Sequence, residues 1–277
     1  MQGRRKRPNP IRPNNFFVMK FSLQNKWVLI TGASSGFGAA AATAFGAEGA
    51  KLLLGARRID RLEQVAAKAK KAGAAEAHFH KLDVAQTASV ETFFAWARGK
   101  IDRLHVAINN AGGAHGLDPV ADGKDADWET TLQTNVHGVL RVTRAALPLL
   151  PRDAGASILN VGSVAGRAPY AGGSAYCAAK AGELAITRAL RHELFGTGIR
   201  VSTIDPGLAE TEFSLVRFKG DARRAKELYA GTNPLVATDI ADILVWVATR
   251  PPHVNIDEIV VKPVDQVEAG KVFKRKK

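Results

Sequence analysis

Ser163, Tyr176 and Lys180 are the residues of this chain whose types and spacing best suit proton chemistry. Tyr176 and Lys180 stand four apart, and on a helix that interval puts both on one face. An isolated phenol ionises near pH 10, too high for acid–base work at neutral pH. A neighbouring ammonium favours the phenolate and brings such a group into a useful range. Ser163 follows an apolar run that reads as a strand, and its hydroxyl could hold a substrate oxygen. A Tyr-x-x-x-Lys pair recurs by chance, so its meaning rests on the elements that would position it.

The first of those elements is a nucleotide signal. Trp27 to Thr31 is an apolar run closing on Thr31-Gly32-Ala33-Ser34-Ser35-Gly36-Phe37-Gly38, and an Ala-rich helix is expected over 36–48. Gly32 permits a tight turn, and Gly36 lets backbone amides approach a pyrophosphate at the helix N-terminus. Gly38 allows close helix–strand contact. No Gly-Lys-Ser/Thr follows, which removes the P-loop alternative. The second strand, 51–55, ends in Gly55-Ala56-Arg57-Arg58. An acid near this tip would hold the ribose 2′-hydroxyl of NAD. Ala56 stands there instead, and Arg57 and Arg58 can fork onto a phosphate. NADP (as NADPH in reduction) is therefore the expected cofactor, with solvated surface arginines as the plainer alternative. Asp83 and Val84, ending the third strand, are expected beside the adenine, although Asp83 could equally cap a loop. Asn109-Asn110-Ala111-Gly112 is expected beside the cofactor's middle.

These motifs sit in a regular alternation. Strands are expected over 27–31, 51–55, 77–84, 104–109, 156–161, 199–204 and 256–262. Helices are expected over 36–48, 60–71 with Asp60 at the N-cap, 87–98, 128–150, 174–195 and 239–249. Residues 207–235 read as irregular or locally helical. Such alternation predicts an α/β fold with a parallel sheet covered by helices on both faces. Nothing suggests an internal repeat or a linker that divides the body.

Charge and composition narrow the class. The 277 residues carry 39 Lys and Arg against 26 Asp and Glu, a net +13. Five basic residues fall in 1–18 and five in 271–277, with no acid in either segment. Between 19 and 270 the balance is 29 to 26, so the body is close to neutral. This argues against a built-in nucleic-acid face. Cys177 is the single cysteine, which excludes internal disulfides and points to a reducing, cytoplasmic setting. The seven histidines show no metal-ligand spacing, no apolar run reaches membrane-span length, and prolines interrupt the basic start. The domain reading is a basic tail over 1–18, with sequence upstream of a native start at Met19 as the alternative, a body over 19–265, and a basic C-terminal tail over 266–277.

The ordered set Thr31–Gly38, Asp83, Asn109–Gly112, Asn135, Ser163, Tyr176-Cys177-Ala178-Ala179-Lys180 and Pro206-Gly207 resembles the short-chain dehydrogenase/reductase family over roughly 22–265. The resemblance implies a single Rossmann-fold domain, a doubly wound, seven-stranded parallel sheet, assembled as homotetramers or dimers. It implies Tyr176 as acid–base, Lys180 on the nicotinamide ribose, Ser163 orienting the carbonyl, and Asn135 holding a water in a proton relay. It also places Pro206, Gly207, Leu208 and Thr211 against the cofactor. Pro169–Gly173, Thr211–Ser214, Val216–Asp221 and His253–Ile256 are similar to the NADP-dependent serine 3-dehydrogenase and 3-hydroxy acid dehydrogenase branch. The stretch Leu208-Ala209-Glu210-Thr211 departs from that branch in being one residue shorter and acidic.

The expected substrate is a small 3-hydroxy acid or its semialdehyde. Arg217 is then the candidate carboxylate ligand, or else a loop residue paired with Glu212 or Asp221. A carbonyl reductase of neutral substrates and a redox-sensing NADP-binding protein are the alternatives. Cys177 reads as core packing, and Trp128, Trp246 and Phe195 as core or subunit contacts.

Overall fold

The computed structural model describes residues 20–152 and 155–275. The segment 1–18, Met19, Lys276 and Lys277, on which several expectations fall, lie outside the described residues. In chain order the elements are β1 (Trp27–Thr31), α1 (Gly36–Ala47), β2 (Lys51–Ala56), α2 (Ile59–Ala72), β3 (Glu76–Lys81), α3 (Thr87–Arg98), β4 (Val106–Asn109), α4 (Asp125–Leu132), α5 (Gly138–Ala146), β5 (Ser157–Val161), α6 (Ser174–Glu193), β6 (Arg200–Pro206), α7 (Phe213–Arg217), α8 (Ala222–Tyr229), α9 (Ala237–Ala248), β7 (Glu258–Val261), β8 (Gln266–Glu268) and β9 (Lys271–Val272).

Seven strands form one parallel sheet in the order β3-β2-β1-β4-β5-β6-β7. The central strands β1, β2 and β4 are apolar at nearly every position because both of their faces are covered. Val28, Ile30, Leu52, Leu54, Val106 and Ile108 pack on one side with α1, α2 and α9. Trp27, Leu29, Leu53, Ala107 and Ile158 pack on the other with α3 and α5. The small side chains of α1 let it lie close, with Ala41, Ala42 and Phe45 fully buried. A polar line crosses the second layer: Asn109 Nδ2 donates to Thr143 Oγ1 and Asn160 Oδ1, and Asn160 Nδ2 to Thr187 Oγ1. These bonds give the buried amide nitrogens acceptors and fix α5 and α6 against β4 and β5. At the far edge, Arg167 bridges Asp205 of β6 and Glu258 of β7, and Arg188 of α6 holds the same Glu258.

Some expectations need correction. The third strand, expected over 77–84, is Glu76–Lys81, so Asp83 and Val84 lie in the loop after it rather than at its end. Asp60 is not the N-cap of α2: Arg58 occupies that place and Asp60 lies in the first turn, where an acid favours the helix dipole. The single helix expected over 128–150 is broken by a π turn at Gln133–His137. The cause is Asn135, whose buried Nδ2 donates to Thr131 O and Gly113 O, both at 2.7 Å. The wider turn lets this side chain reach the loop after β4. Residues 266–275, read as a tail, fold back as the β8–β9 hairpin. Arg275 pairs with Asp265 at 2.6 and 2.7 Å and its N–H bonds Gly231 O, so charge and backbone both hold the segment to the body. Among the described residues no helix is long and apolar enough to cross a membrane.

Candidate active site

The strand order reverses between β1 and β4, and ligands of such sheets bind in the crevice beyond the strand ends there. Thr31 ties the two tips together. Its hydroxyl donates to Ile108 O and accepts from the N–H groups of Asn110 and Ala111, each at 3.0 Å. Asn110 Nδ2 returns a bond to Thr31 O at 2.8 Å. Gly32 has φ +64°, and a Cβ there would lie 2.8 Å from Ala111 Cα, so only glycine fits between the tips. A Cβ on Gly38 would lie 2.5 Å from Gly32 O, which explains how closely α1 seats on the turn. α1 starts with no side-chain cap and no acid in its first turn. Its N-terminal amides are left to an anion.

A cavity of about 550 Å³ opens from this point. Of the site residues expected from sequence, it brings together Gly32, Ser34, Ser35, Gly36, Phe37, Arg57, Arg58, Asp83, Val84, Asn110, Ala111, Gly112, Ser163, Tyr176, Lys180, Pro206, Gly207, Leu208, Thr211 and Arg217. Gly38 and Asn135 do not line it. Gly38 lies beneath the turn. Asn135 is fully buried, and its Oδ1 accepts from Gly113 N at 3.2 Å, so its side chain clamps the wall at Gly112 and Gly113. Asp83 lines the cavity and also takes a local role, accepting from Ala85 N at 3.1 Å. The residues present fit a dinucleotide phosphate. Small residues and an uncapped helix face the pyrophosphate position, and two arginines stand at the β2 tip. Arg57 makes no hydrogen bond or ion pair among the described residues. Arg58 donates to Ser34, Ser35 and Glu212.

Ser163 caps a short 3-10 turn after β5, its Oγ accepting from Ala165 N at 3.1 Å, which leaves its O–H free to donate. Tyr176 and Lys180 share one face of α6. Lys180 is buried and donates to Val161 O at 2.8 Å and Glu183 Oε2 at 2.6 Å. The Tyr176 ring lies 5.4 Å from that of Phe213 and 5.7 Å from the Arg217 guanidinium.

Arg217 makes neither of the ion pairs offered as its alternative. Glu212 is taken by Arg58 and Arg61, and Asp221 caps α8 through Arg224 N. Arg217 is 8% exposed, its Nε donates to Gly116 O at 3.0 Å and its Nη1 to Tyr170 Oη at 2.8 Å. Nη2 is buried without a partner among the described residues. Arg217 thus lines the cavity as a buried cation 5.7 Å from the Tyr176 ring, with one donor that no acceptor among the described residues takes. Burial pushes the Tyr170 phenol up, so it stays a neutral acceptor for Arg217.

The sequence reading missed part of this wall. Gln266, Ala269, Gly270, Val272 and Lys274 of the C-terminal hairpin line the cavity. Gln266 Oε1 accepts from Leu208 N at 2.6 Å, and a Cβ on Gly207 would collide with it at 2.1 Å. No local pattern announces that contact. Glu183 was also missed, although its position one turn after Lys180 was a usable signal.

A doubly wound sheet, a Gly-rich turn at its switch point and a Tyr–Lys pair facing it define a dinucleotide-dependent oxidoreductase. The sequence profile described as short chain dehydrogenase matches residues 26–221. The chain is 43% identical over 240 residues to sulfoacetaldehyde reductase 2 of Chromohalobacter salexigens, covering 86% of this chain and 94% of that one. It is 40% identical over 245 residues to serine 3-dehydrogenase of Agrobacterium fabrum, covering 88% and 96%. A serine dehydrogenase structure complexed with NADP+ superposes with TM-score 0.81 at 37% identity, covering 90% of this chain and all of that one. The chain belongs to the short-chain dehydrogenase family, and it is an oxidoreductase acting on CH–OH groups.

Proposed function

We propose that this protein uses NADP(H) to interconvert a small anionic alcohol and its aldehyde or ketone. The observation that carries the reading is Arg217, a buried cation whose Nη2 has no partner among the described residues and which stands beside Tyr176. A guanidinium so placed needs an anion, and a substrate carboxylate or sulfonate supplies one. The names of the relatives support the same chemistry. A 3-hydroxy acid and sulfoacetaldehyde both separate the reacting carbon from an anionic head by one carbon. The 3-hydroxy acid or semialdehyde remains the leading substrate class.

When bound, the nicotinamide supplies the redox chemistry. Ser163 O–H donates to the substrate oxygen and holds it at Tyr176. In oxidation the Tyr176 phenolate accepts the hydroxyl proton, and in reduction the phenol returns it. Lys180 stabilises the phenolate and donates to the nicotinamide ribose. Arg217 anchors the anionic end, and Arg57 with Arg58 receives the 2′-phosphate. Asn135 holds the Gly112–Gly113 wall, and its buried side chain, spent on Gly113 and Thr131, is a positioning group rather than the water ligand the resemblance implies. The working unit is a cytoplasmic homotetramer or dimer. Phe195 (89% exposed) and Trp246 support an assembly, since both are large apolar side chains left in solvent by the single chain.

The test is a substrate panel followed by NADPH absorbance: malonic semialdehyde and sulfoacetaldehyde against propanal, each with NADPH and NADH. The reading expects kcat/KM at least ~10²-fold higher for the anionic aldehydes and a strong preference for NADPH. Equal use of propanal would leave the neutral carbonyl reductase, and no turnover with any of the three would favour the cofactor-sensing alternative.

A further inference from the structure

Lys180 carries a partner that the proton transfer does not itself require. Glu183 Oε2 lies 2.6 Å from Lys180 Nζ, one turn further along α6. Glu183 is 1% exposed, and its Oε1 has no partner among the described residues. A carboxylate so buried is unfavourable unless a cation sits on it, and an apolar side chain would fill the place at no such cost. The pair is therefore a costly feature located on the residue that governs Tyr176.

The charged groups facing the pair come from several elements. Tyr176 stands one turn before Lys180 on α6. Asp205 of β6 acts on both members and is itself held by Arg167. Arg217 of α7 lies 5.7 Å from the Tyr176 ring. On α4, which also packs on α6, Asp127 is engaged by Lys219, and Asp125 and Glu129 lie in solvent. The π turn offers Asn135, which is uncharged, and His137, which is exposed.

We infer that Glu183 is a positioning residue for the reaction: it fixes Lys180, offsets its charge, and so sets the pH range in which Tyr176 and Lys180 act together. The inference rests on the reading of Tyr176 as the proton carrier. Burial works against the Lys180 ammonium, but Glu183, with Tyr176 and Asp205, holds it above the usual lysine range. Burial pushes the Glu183 carboxyl up against the pull of Lys180. Groups coupled this closely release protons as a set rather than singly. A fixed negative charge favours the protonated form of every neighbour. Removing it must therefore move both proton losses to lower pH.

The experiment is the pH profile of kcat/KM for alcohol oxidation in the wild type, E183Q and E183D, with Y176F measured alongside. Both limbs of the E183Q profile should move acidward by about one pH unit, while E183D, which keeps the charge, stays at the wild-type positions. Limbs of E183Q that remain in place, or move upward, overturn the proposal. A lowered Tm with unmoved limbs is the result of a merely structural ion pair and overturns it as well. E183L fills the same space without a polar group and is read by the same criterion if E183Q does not fold. Turnover retained in Y176F removes the underlying reading whatever E183Q does. An inactive Y176F with unmoved E183Q limbs removes the role of Glu183 alone.

Discussion

Arg58 donates to the Glu212 carboxylate at 2.9 Å across 154 residues of sequence, joining the tip of β2 to the start of α7. Arg61 shares the same carboxylate, and Arg58 also reaches Ser35 Oγ at 2.7 Å. Burial opposes the Glu212 charge, but Arg58 and Arg61 hold its carboxyl below the usual range. Glu212 thus occupies Arg58 at the place where a ribose phosphate would need it. The pair is about two-fifths exposed, so it is worth no more than about 1 kcal/mol and can yield to a dianion.

The first prediction follows from that competition. Glu212→Gln should tighten NADP+ binding roughly 2- to 5-fold, because it removes a rival anion worth at most about 1 kcal/mol. Arg58→Ala should weaken NADP+ binding by about 10- to 100-fold and leave NAD+ binding nearly unchanged. Titration of intrinsic fluorescence with each nucleotide measures both. Equal losses for NADP+ and NAD+ in Arg58→Ala would remove the phosphate role.

Tyr176→Phe should lower kcat by about 10²- to 10⁴-fold, the usual scale of a lost acid–base group. NADP+ affinity should hold, because the ring and its contact with Phe213 are retained. Stopped-flow and equilibrium binding separate the two effects.

Arg217→Ala should raise KM for a 3-hydroxy acid by about 10- to 100-fold, the worth of a charge-assisted bond, and change KM for propanol far less. Its cation also stacks near Tyr170 and Tyr176, so a modest loss of thermal stability is expected too. A parallel rise for both substrates would count against an anion site.

Stability should fall in acid in two stages. The buried His105 ring accepts from Trp27 N at 3.2 Å, and burial, with Lys26 and Arg103 adding to it, depresses its pKa to about 4. A histidine depressed on folding contributes fully above pH 6.5 and loses that contribution as pH falls toward 4, roughly 3 kcal/mol in all. Glu258 is held at about 2 by Arg188 and Arg167, so its share is present above about pH 4.5 and lost as pH falls through 2. Urea denaturation at pH 7, 5.5 and 4 should show the first loss, and His105→Gln should flatten it. A slope identical to wild type in that variant would disprove the assignment.

Truncation after Asp265 should impair catalysis more than a solubilising tail would allow. It removes Gln266, the acceptor for Leu208 N, and the hairpin wall of the cavity. Gln266→Ala should reproduce part of the loss as a raised KM for NADP+, measured by initial rates.

The alternation of strands and helices was legible because the central strands β1, β2 and β4 are buried on both faces and read as continuous apolar runs. The boundaries of α3 and β1 match the periodic reading, since nothing tertiary competes there. The helix over 128–150 was misread because one buried amide, Asn135, bonds out of the helix. No hydrophobic period records that. The hairpin over 266–272 was misread as a tail because the basic residues from Lys271 onward dominate that end of the chain, while Leu208 and Gly231, which hold it, lie far away in sequence.

The sequence by itself determined the class of chemistry: a Gly-rich turn, two arginines and a Tyr–Lys pair are short-range patterns whose geometry follows from helix and turn. Only the tertiary structure decided what those residues touch. Glu212 on Arg58, Tyr170 on Arg217 and Gln266 on Leu208 meet through the closing of long loops over the C-terminal ends of the strands. Glu183 was within reach of the pattern, one turn from Lys180, but its burial came from the way α6 lies against β5 and β6. Contacts of this kind depend on how packed layers meet, and a one-dimensional period carries no term for that.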